Sequence, residues 1–264
     1  MQNSPVLLQE SSWSRLQAVR LVASDMDGTL THHGKLTSPL LQSLVTLAAQ
    51  EVAVLIVTGR SAGWVQAIAH YLPVAGAIAE NGGVFIAPNS GVPQLLVDLP
   101  ELAQHRQHLA AMFTQLQSQF PDLTPSVDNP FRLTDWTFDI GTLSPADLTQ
   151  IAEICRQAGW GFVYSTVQCH IRPLGQDKGV GLQRVLQQHF SQLAATQVVT
   201  VGDSPNDEGL FDTNLFPLSV GVANVKHYCD RLHHLPTFIT PSPEIAGFSE
   251  LVAAIAQAQQ ISEP

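Results

Sequence analysis

Residues 21–30, LVASDMDGTL, decide the fold by the way an apolar run gives out into acid. The run Leu21–Ala23 is continuous rather than alternating, which is the pattern of a parallel strand covered on both faces. Asp25 and Asp27 then stand at the carboxyl end of that strand, the edge at which open α/β sheets bind ligands. Two carboxylates one residue apart repel each other when buried. Such a pair persists where a cation neutralises it, or where one member stays protonated for acid catalysis. Gly28 permits a tight turn after them. Taken alone, the same four residues are equally well an ordinary Asp-Gly turn with Asp25 as a cap.

Outward from this stretch the same kind of run recurs at Val52–Val57, Ala75–Ala79, Val198–Val201 and Ser219–Val222. Helical spacing fills the gaps. Ser38-Pro39 supplies an N-cap and a proline at the first helical position, followed by Leu41, Leu44, Val45 and Ala48. Ser61 caps a second helix carrying Trp64, Ile68 and Leu72, and Leu182, Val185, Leu186 and Phe190 mark a third. Strands alternating with helices predict a doubly wound α/β fold with a parallel sheet.

From residue 87 to 173 the rhythm changes. A helix is expected over Glu101–Phe120, with Leu102, Leu109, Phe113, Leu116 and Phe120 on one side, and Ser144-Pro145 opens another with Leu148, Ile151 and Cys155. Between them Trp136, Phe138 and Ile140 alternate with Asp135, Thr137 and Asp139, so one face of a sheet is apolar and the other polar and open. Turn-rich stretches at Ala87-Pro88-Asn89-Ser90-Gly91 and Pro173-Leu174-Gly175 bracket this module. Residues 1–86 and 174–264 therefore read as the α/β core, and 87–173 as an inserted α+β cap domain.

Composition narrows the partners. Twelve Lys plus Arg stand against twenty-two Asp plus Glu in 264 residues, a net charge of −10 without long basic stretches, which argues against nucleic acid. An anion site in such a chain must be a local cationic patch, so each Lys or Arg beside a motif is informative. No apolar run approaches the roughly 20 residues of a bilayer span, and the start MQNSPVLLQESSWSR does not read as a secretory signal. No membrane partner and a cytoplasmic location are the expectations. Cys155, Cys169 and Cys229 are odd in number and lack CxxC spacing, so they are expected as free, buried or half-buried thiols. His105, His108, His227, His233 and His234 match no zinc spacing and are expected at the surface.

Three further stretches carry chemistry. The second strand ends in Thr58-Gly59-Arg60, a hydroxyl, a flexible backbone and a cation before a helix N-terminus, which together suit an anion; alone they are equally an ordinary turn. Lys178 opens its helix, where its charge opposes the helix dipole unless an anion lies close by. The strand Val198–Val201 ends in GDSPND, so Asp203 emerges at the edge that holds Asp25, with Asn206 and Asp207 on the next turn. Asp25, Asp27 and Asp203 make a hard oxygen set suited to Mg²⁺.

Taken jointly and in this order, Asp25–Thr29, Thr58, Lys178 and Gly202–Asp207 resemble the four motifs of the haloacid dehalogenase superfamily of phosphohydrolases. The resemblance implies Asp25 as nucleophile and metal ligand, and Asp27 as acid for the leaving oxygen and base for water. Thr58 and Lys178 would hold the phosphoryl oxygens, with Gly59 and Arg60 beside them. Asp203 would complete the Mg²⁺ site, oriented by Asp207 and Asn206. About 30 residues separate Asp27 from Thr58 and about 120 separate Thr58 from Lys178, so the cap sits between the second and third motifs. That arrangement, with AENGG at 79–83, is similar to the Cof-type and sucrose-phosphatase-like branch, which implies Asn81 near the site and a small phosphate ester, a sugar phosphate, as substrate. Arg132, Asp135, Thr137, His170 and Arg172 are expected to line the cap's active-site face, with solvent-facing strand residues as the alternative. A phosphotransferase or mutase would use the same motifs, although superfamily mutases usually carry a small cap between the first two. A sugar-phosphate sensor without turnover would not need the Asp25/Asp27 pair.

Overall fold

In a computed structural model, residues 4–88, 90, 92–99, 101–165 and 167–260 are described; Asn89 and Gly91 of the first expected boundary turn lie outside them. The continuous apolar runs become the centre of one large sheet. Its strands are β1 (Val6–Leu7), β2 (Leu21–Ser24), β3 (Ala53–Val57), β4 (Gly76–Ala79), β5 (Val84–Ile86), β6 (Gln94–Leu95) and, later in the chain, three more from Val198 onward. A second sheet holds β7 (Trp136–Asp139), β8 (Trp160–Tyr164) and β9 (Gln168–Pro173), and the large sheet is completed by β10 (Val198–Gly202), β11 (Ser219–Gly221) and β12 (Phe238–Ile239). Helices α1 (Ser38–Ala49), α2 (Ala62–Tyr71), α3 (Leu102–Gln117), α4 (Pro145–Gln157), α5 (Lys178–His189) and α6 (Glu244–Gln260) connect or follow them.

The large sheet has the order β1-β12-β11-β10-β2-β3-β4-β5-β6, parallel from β1 through β4 and antiparallel for β5 and β6. Alternate side chains of one strand feed two different cores, which is why its runs are unbroken. Val22, Val54, Ile56, Val199 and Val201 pack with α1, α2 and α6 on one face. Leu21, Ala23, Leu55, Val57 and Val198 pack with Leu182 and Val185 of α5 on the other. The chain runs from β2 outward to β4, then returns to β10 beside β2 and runs the opposite way. That switch point opens a crevice at the carboxyl ends of β2 and β10. The strand β6 lies beyond residue 87, so the large sheet reaches into the stretch expected to start the insertion.

Several local expectations shift. The N-cap of α1 is Thr37, with Ser38 already helical. The buried stripe of α1 is Leu40, Leu44 and Leu47, while Leu41 and Val45 face outward. On α2 the buried residues are Ala62, Val65 and Ala69, and Trp64 is exposed beside the Arg60 guanidinium. Both helices are apolar on more than one side, so contact with the sheet and, for α1, with α6 chooses the face. Helix α3 ends before Phe120, and Leu102 is exposed. Ser144 caps α4 through a reciprocal capping box with Asp147.

The second sheet runs β7-β9-β8, all antiparallel, and buries Phe138, Cys169 and Ile171 against Leu109, Phe113 and Leu116 of α3 and Leu148, Ile151 and Cys155 of α4. Its opposite face, expected to be open, is closed. Asp135 and Thr137 are fully buried, and His170 and Arg132 nearly so. The reason is a polar junction with the large sheet. Glu80, just past β4, accepts the backbone N–H of Thr134 at Oε2 (2.6 Å) and that of Ala62, at the start of α2, at Oε1 (2.9 Å), while the Leu133 N–H reaches both oxygens (3.0 Å). Ser61 stands at the N-cap, but Glu80 supplies the capping oxygen.

Arg132 belongs to the same junction. It pairs with Asp135 (2.9 Å) and Asp128 (2.9 Å) and donates to the Gly59 carbonyl (3.0 Å). Arg132→Ala leaves Asp135 buried without its counter-charge, and breaking such a pair costs about 3–5 kcal/mol. Urea unfolding should show a midpoint lowered accordingly; an unchanged midpoint would mean that Arg132 is not structural. His105 is likewise buried rather than at the surface, its Nε2 bonded to the Thr134 carbonyl (2.9 Å).

Candidate active site

The crevice collects its residues because the strands are parallel: each ends at the same edge. Asp25 follows β2 and its N–H donates to Val201 on β10 (2.9 Å), which ties the two strand ends together. Gly28 holds φ +83°, and a Cβ there would lie 2.6 Å from Asp203 Oδ2, so the turn after Asp27 admits no side chain. Asp25, Asp203 and Asp207 bring one oxygen each within 4.8 Å of one another, all three buried. Asp27 is not in this cluster. Arg60 forks it, Nε to Oδ2 (2.8 Å) and Nη2 to Oδ1 (2.7 Å).

Lys178 enters the cluster fully buried, with Nζ 2.5 Å from Asp25 Oδ1 and 2.6 Å from Asp207 Oδ1. Asp177 caps α5 through the Gly179 N–H (2.7 Å) and so fixes where the lysine side chain departs. Burial alone would lower the Lys178 pKa, but Asp207 and Asp25 outweigh it and hold the ammonium charged. One ammonium does not neutralise three carboxylates. Burial, then Asp207, pushes Asp25 up to about 7, and burial with Asp25 and Asp207 raises Asp203 well above its usual value. A cation among these oxygens would relieve both groups. The donors are carboxylate oxygens, which suit a hard divalent ion rather than a soft one.

The other expected residues surround this cluster. Thr58 is buried at the end of β3, its Oγ1 accepting the Arg60 N–H (3.2 Å). Asn206 donates to Asn81 Oδ1 (3.0 Å), leaving Asn81 Nδ2 buried with no partner among the described residues. Asp207 Oδ2 accepts the N–H groups of Asp203 (2.9 Å) and Ser204 (3.0 Å) and so shapes the loop as well as meeting Lys178. Asp25, Asp27, Thr58, Arg60, Ser165 and His170 wall a cavity of about 20 Å³, with Gly59, Gln168 and Asn206 also on it. Ser165 and Val167, between β8 and β9, thus line the crevice from the side of the second sheet. Arg132 and Arg172 are not on that wall; the Arg172 Nε is buried without a partner among the described residues.

Besides Ser165, Val167 and Gln168 on that wall, two residues escaped the sequence reading. Asn224 donates to Asp203 Oδ2 (2.7 Å) and to the Gly28 carbonyl (3.1 Å). Its only sequence signal is its place just after β11, another strand ending at this edge. Glu80 stood in AENGG beside Asn81, but nothing local says that its partners lie more than fifty residues on.

The sequence model of sucrose-6F-phosphate phosphohydrolases matches residues 18–247 of the chain. The chain belongs to this family. Its members fall within the haloacid dehalogenase superfamily, and the protein is a phosphoric monoester hydrolase with the α/β fold expected of that group. It is 28% identical to a phosphoglycolate phosphatase of Methanothrix thermoacetophila over 78% of the chain and 85% of that relative. In fold it is similar to the trehalose-6-phosphate phosphatase C-terminal domain of C. albicans, with a TM-score of 0.71 at 15% identity, covering 97% of this chain and 99% of that one. It is similar also to the sucrose-phosphatase of Synechocystis in complex with sucrose and phosphate, with a TM-score of 0.65 at 18% identity, covering 89% and 97%. No helix among the described residues is long and apolar enough to cross a membrane.

Proposed function

We propose that the protein is a Mg²⁺-dependent phosphatase that releases inorganic phosphate from a sugar phosphate through an aspartyl-phosphate on Asp25. One observation carries the reading: a buried carboxylate that closes a switch-point crevice, touches a buried lysine, and lies beside two further carboxylates. An Asp25 oxygen attacks phosphorus and the ester oxygen departs, taking its proton from Asp27. Water then attacks the acyl phosphate, Asp27 accepting the proton, and phosphate leaves with Asp25 restored. Lys178 and Thr58 steady the phosphoryl oxygens. Asp25, Asp203 and Asp207 would hold the Mg²⁺, which when bound supplies charge neutralisation at the phosphoryl group. Phosphoglycolate is the second reading, favoured by the name of the Methanothrix relative.

Phosphate release from a panel of sugar phosphates and phosphoglycolate, with Mg²⁺ and with excess chelator, tests this directly. Turnover of a sugar phosphate that stops in chelator is the expected result; full activity in chelator would sink the metal. Protons compete for the same oxygens, and this gives an independent check. The Asp25 pKa is raised in the folded protein, so without metal its contribution to stability is full below about 3.8 and fades as pH rises through about 7. A cation should restore what is lost there. At 100-fold excess over Kd, binding adds about 2.7 kcal/mol, or roughly 5–10 °C in Tm. Melting curves should show that gain at pH 8 and little of it at pH 5; an equal gain at both would contradict the cluster as the binding site.

A further inference from the structure

On the wall of the cavity stands His170, paired with Asp135 in a contact that the phosphatase chemistry does not use. His170 Nδ1 lies 2.8 Å from Asp135 Oδ2, and Asp135 is fully buried against Arg132. Burial alone would raise the Asp135 carboxyl, but Arg132 and His170 outweigh it and hold it ionised. An ionised carboxylate only accepts, so Nδ1 carries the proton and Nε2 keeps its lone pair. Burial lowers the pKa of His170, and Arg132 and Lys178 add to that, which keeps the ring neutral against the pull of Asp135. Nε2 has no partner among the described residues, and the ring is on the cavity wall, its Cε1 3.1 Å from where a Gly59 Cβ would stand.

The neighbouring wall residue is fixed by the same logic. Arg132 Nη2 donates to Gln168 Oε1 (3.1 Å), and a guanidinium cannot accept, so the Gln168 amide NH₂ is the end left for the cavity. An acceptor and a donor therefore belong to two residues that line the same cavity as Asp25. A hydroxyl, which both donates and accepts, satisfies the two. A carboxylate would set its charge against the Nε2 lone pair, with the Asp135 anion behind it. Arg60, the cation that would otherwise receive a carboxylate, already holds both oxygens of Asp27.

We propose that His170, positioned by Asp135, recognises a hydroxyl of the leaving group, so that the enzyme selects polyol or sugar phosphates over phosphorylated carboxylates. This rests on the phosphatase reading of the site and adds to it the residue that reads the leaving group and the group it rejects. The matched pair 2-hydroxyethyl phosphate and phosphoglycolate differs only in hydroxymethyl against carboxylate, and p-nitrophenyl phosphate reports the phosphatase chemistry. Wild type should favour the hydroxy ester in kcat/KM by at least about tenfold, since a site built to hydrogen-bond a hydroxyl rejects analogues lacking it. His170→Ala should bring the ratio to near unity, chiefly through KM, and His170→Gln, which keeps an acceptor, should recover part of it. Asp135→Asn offers Nδ1 a donor, drives the proton to Nε2 and should shift the ratio toward the carboxylate. ¹⁵N spectra of the wild-type imidazole should show an unprotonated Nε2 near neutral pH, a readout that holds even where a variant fails to fold. Faster turnover of phosphoglycolate, a folded His170→Ala with an unaltered ratio, or a protonated Nε2 would overturn the proposal while leaving the phosphatase intact. No turnover of any of the three esters would overturn both.

Discussion

Asp25→Asn should abolish turnover and leave no phosphoenzyme. An amide oxygen is a poor nucleophile, and removal of a covalent nucleophile in other hydrolases costs on the order of 10⁶-fold in kcat. The substitution also removes the charge that Lys178 meets at 2.5 Å. Lys178 retains Asp207 at 2.6 Å, so the buried ammonium is not orphaned and the fold should survive. Circular dichroism and melting should therefore stay close to wild type while activity is lost. Rapid-quench mass spectrometry of the wild-type enzyme should find added phosphate on the peptide containing Asp25. Phosphate on any other residue, or substantial turnover by Asp25→Asn, would overturn the nucleophile.

Asp27→Asn should behave differently, although only one residue separates the two carboxylates. Asp27 lies outside the cluster of Asp25, Asp203 and Asp207 and is forked by Arg60, so its loss leaves the cation site and Lys178 in place. What goes is proton transfer, worth about 10²–10⁴-fold in each step it serves. With p-nitrophenyl phosphate, whose leaving group needs little protonation, the first step should be spared more than the second. A phosphoenzyme should then accumulate and decay slowly, visible as a burst of nitrophenol followed by a slow steady state. Equal slowing on alkyl and aryl esters, with no burst, would remove Asp27 from the acid–base role. Arg60 gives this prediction a structural partner: it sets the Asp27 rotamer and stacks on Trp64, so it orients the acid rather than meeting phosphate in this state.

Much of the site was legible because its signals are local. Each of Asp25, Thr58 and Asp203 ends a continuous apolar run, and such a run, repeated between helices, is the pattern of a parallel strand covered on both faces, whose carboxyl end is where ligands gather. The four motifs in order then implied a phosphohydrolase, and the family match agrees with that much. The anion that Lys178 called for near its helix start turned out to be a pair of carboxylates from two distant segments.

The tertiary structure alone decided the rest, because those outcomes are contests between partners far apart in the chain. Helix α1 offers two apolar stripes that share Leu44, and the sequence contains no preference; contact with α6 buries Leu40 and Leu47 and leaves Leu41 and Val45 outside. Period-two alternation said that Asp135 and Thr137 share a face but not whether water or protein meets it. The junction through Glu80 closes that face, at hydrogen bonds spanning 54 positions. Residue type and position placed Arg60 beside the phosphoryl oxygens and left Arg132 and Arg172 as candidates for the cap's active-site face. Only packing assigns Arg132 to Asp128 and Asp135, gives Arg60 to Asp27, and sets Arg172 off the cavity wall. A side chain's type fixes what it can bond; where it is buried, and beside which counter-charge, fixes what it does bond, and that is a property of the assembled fold.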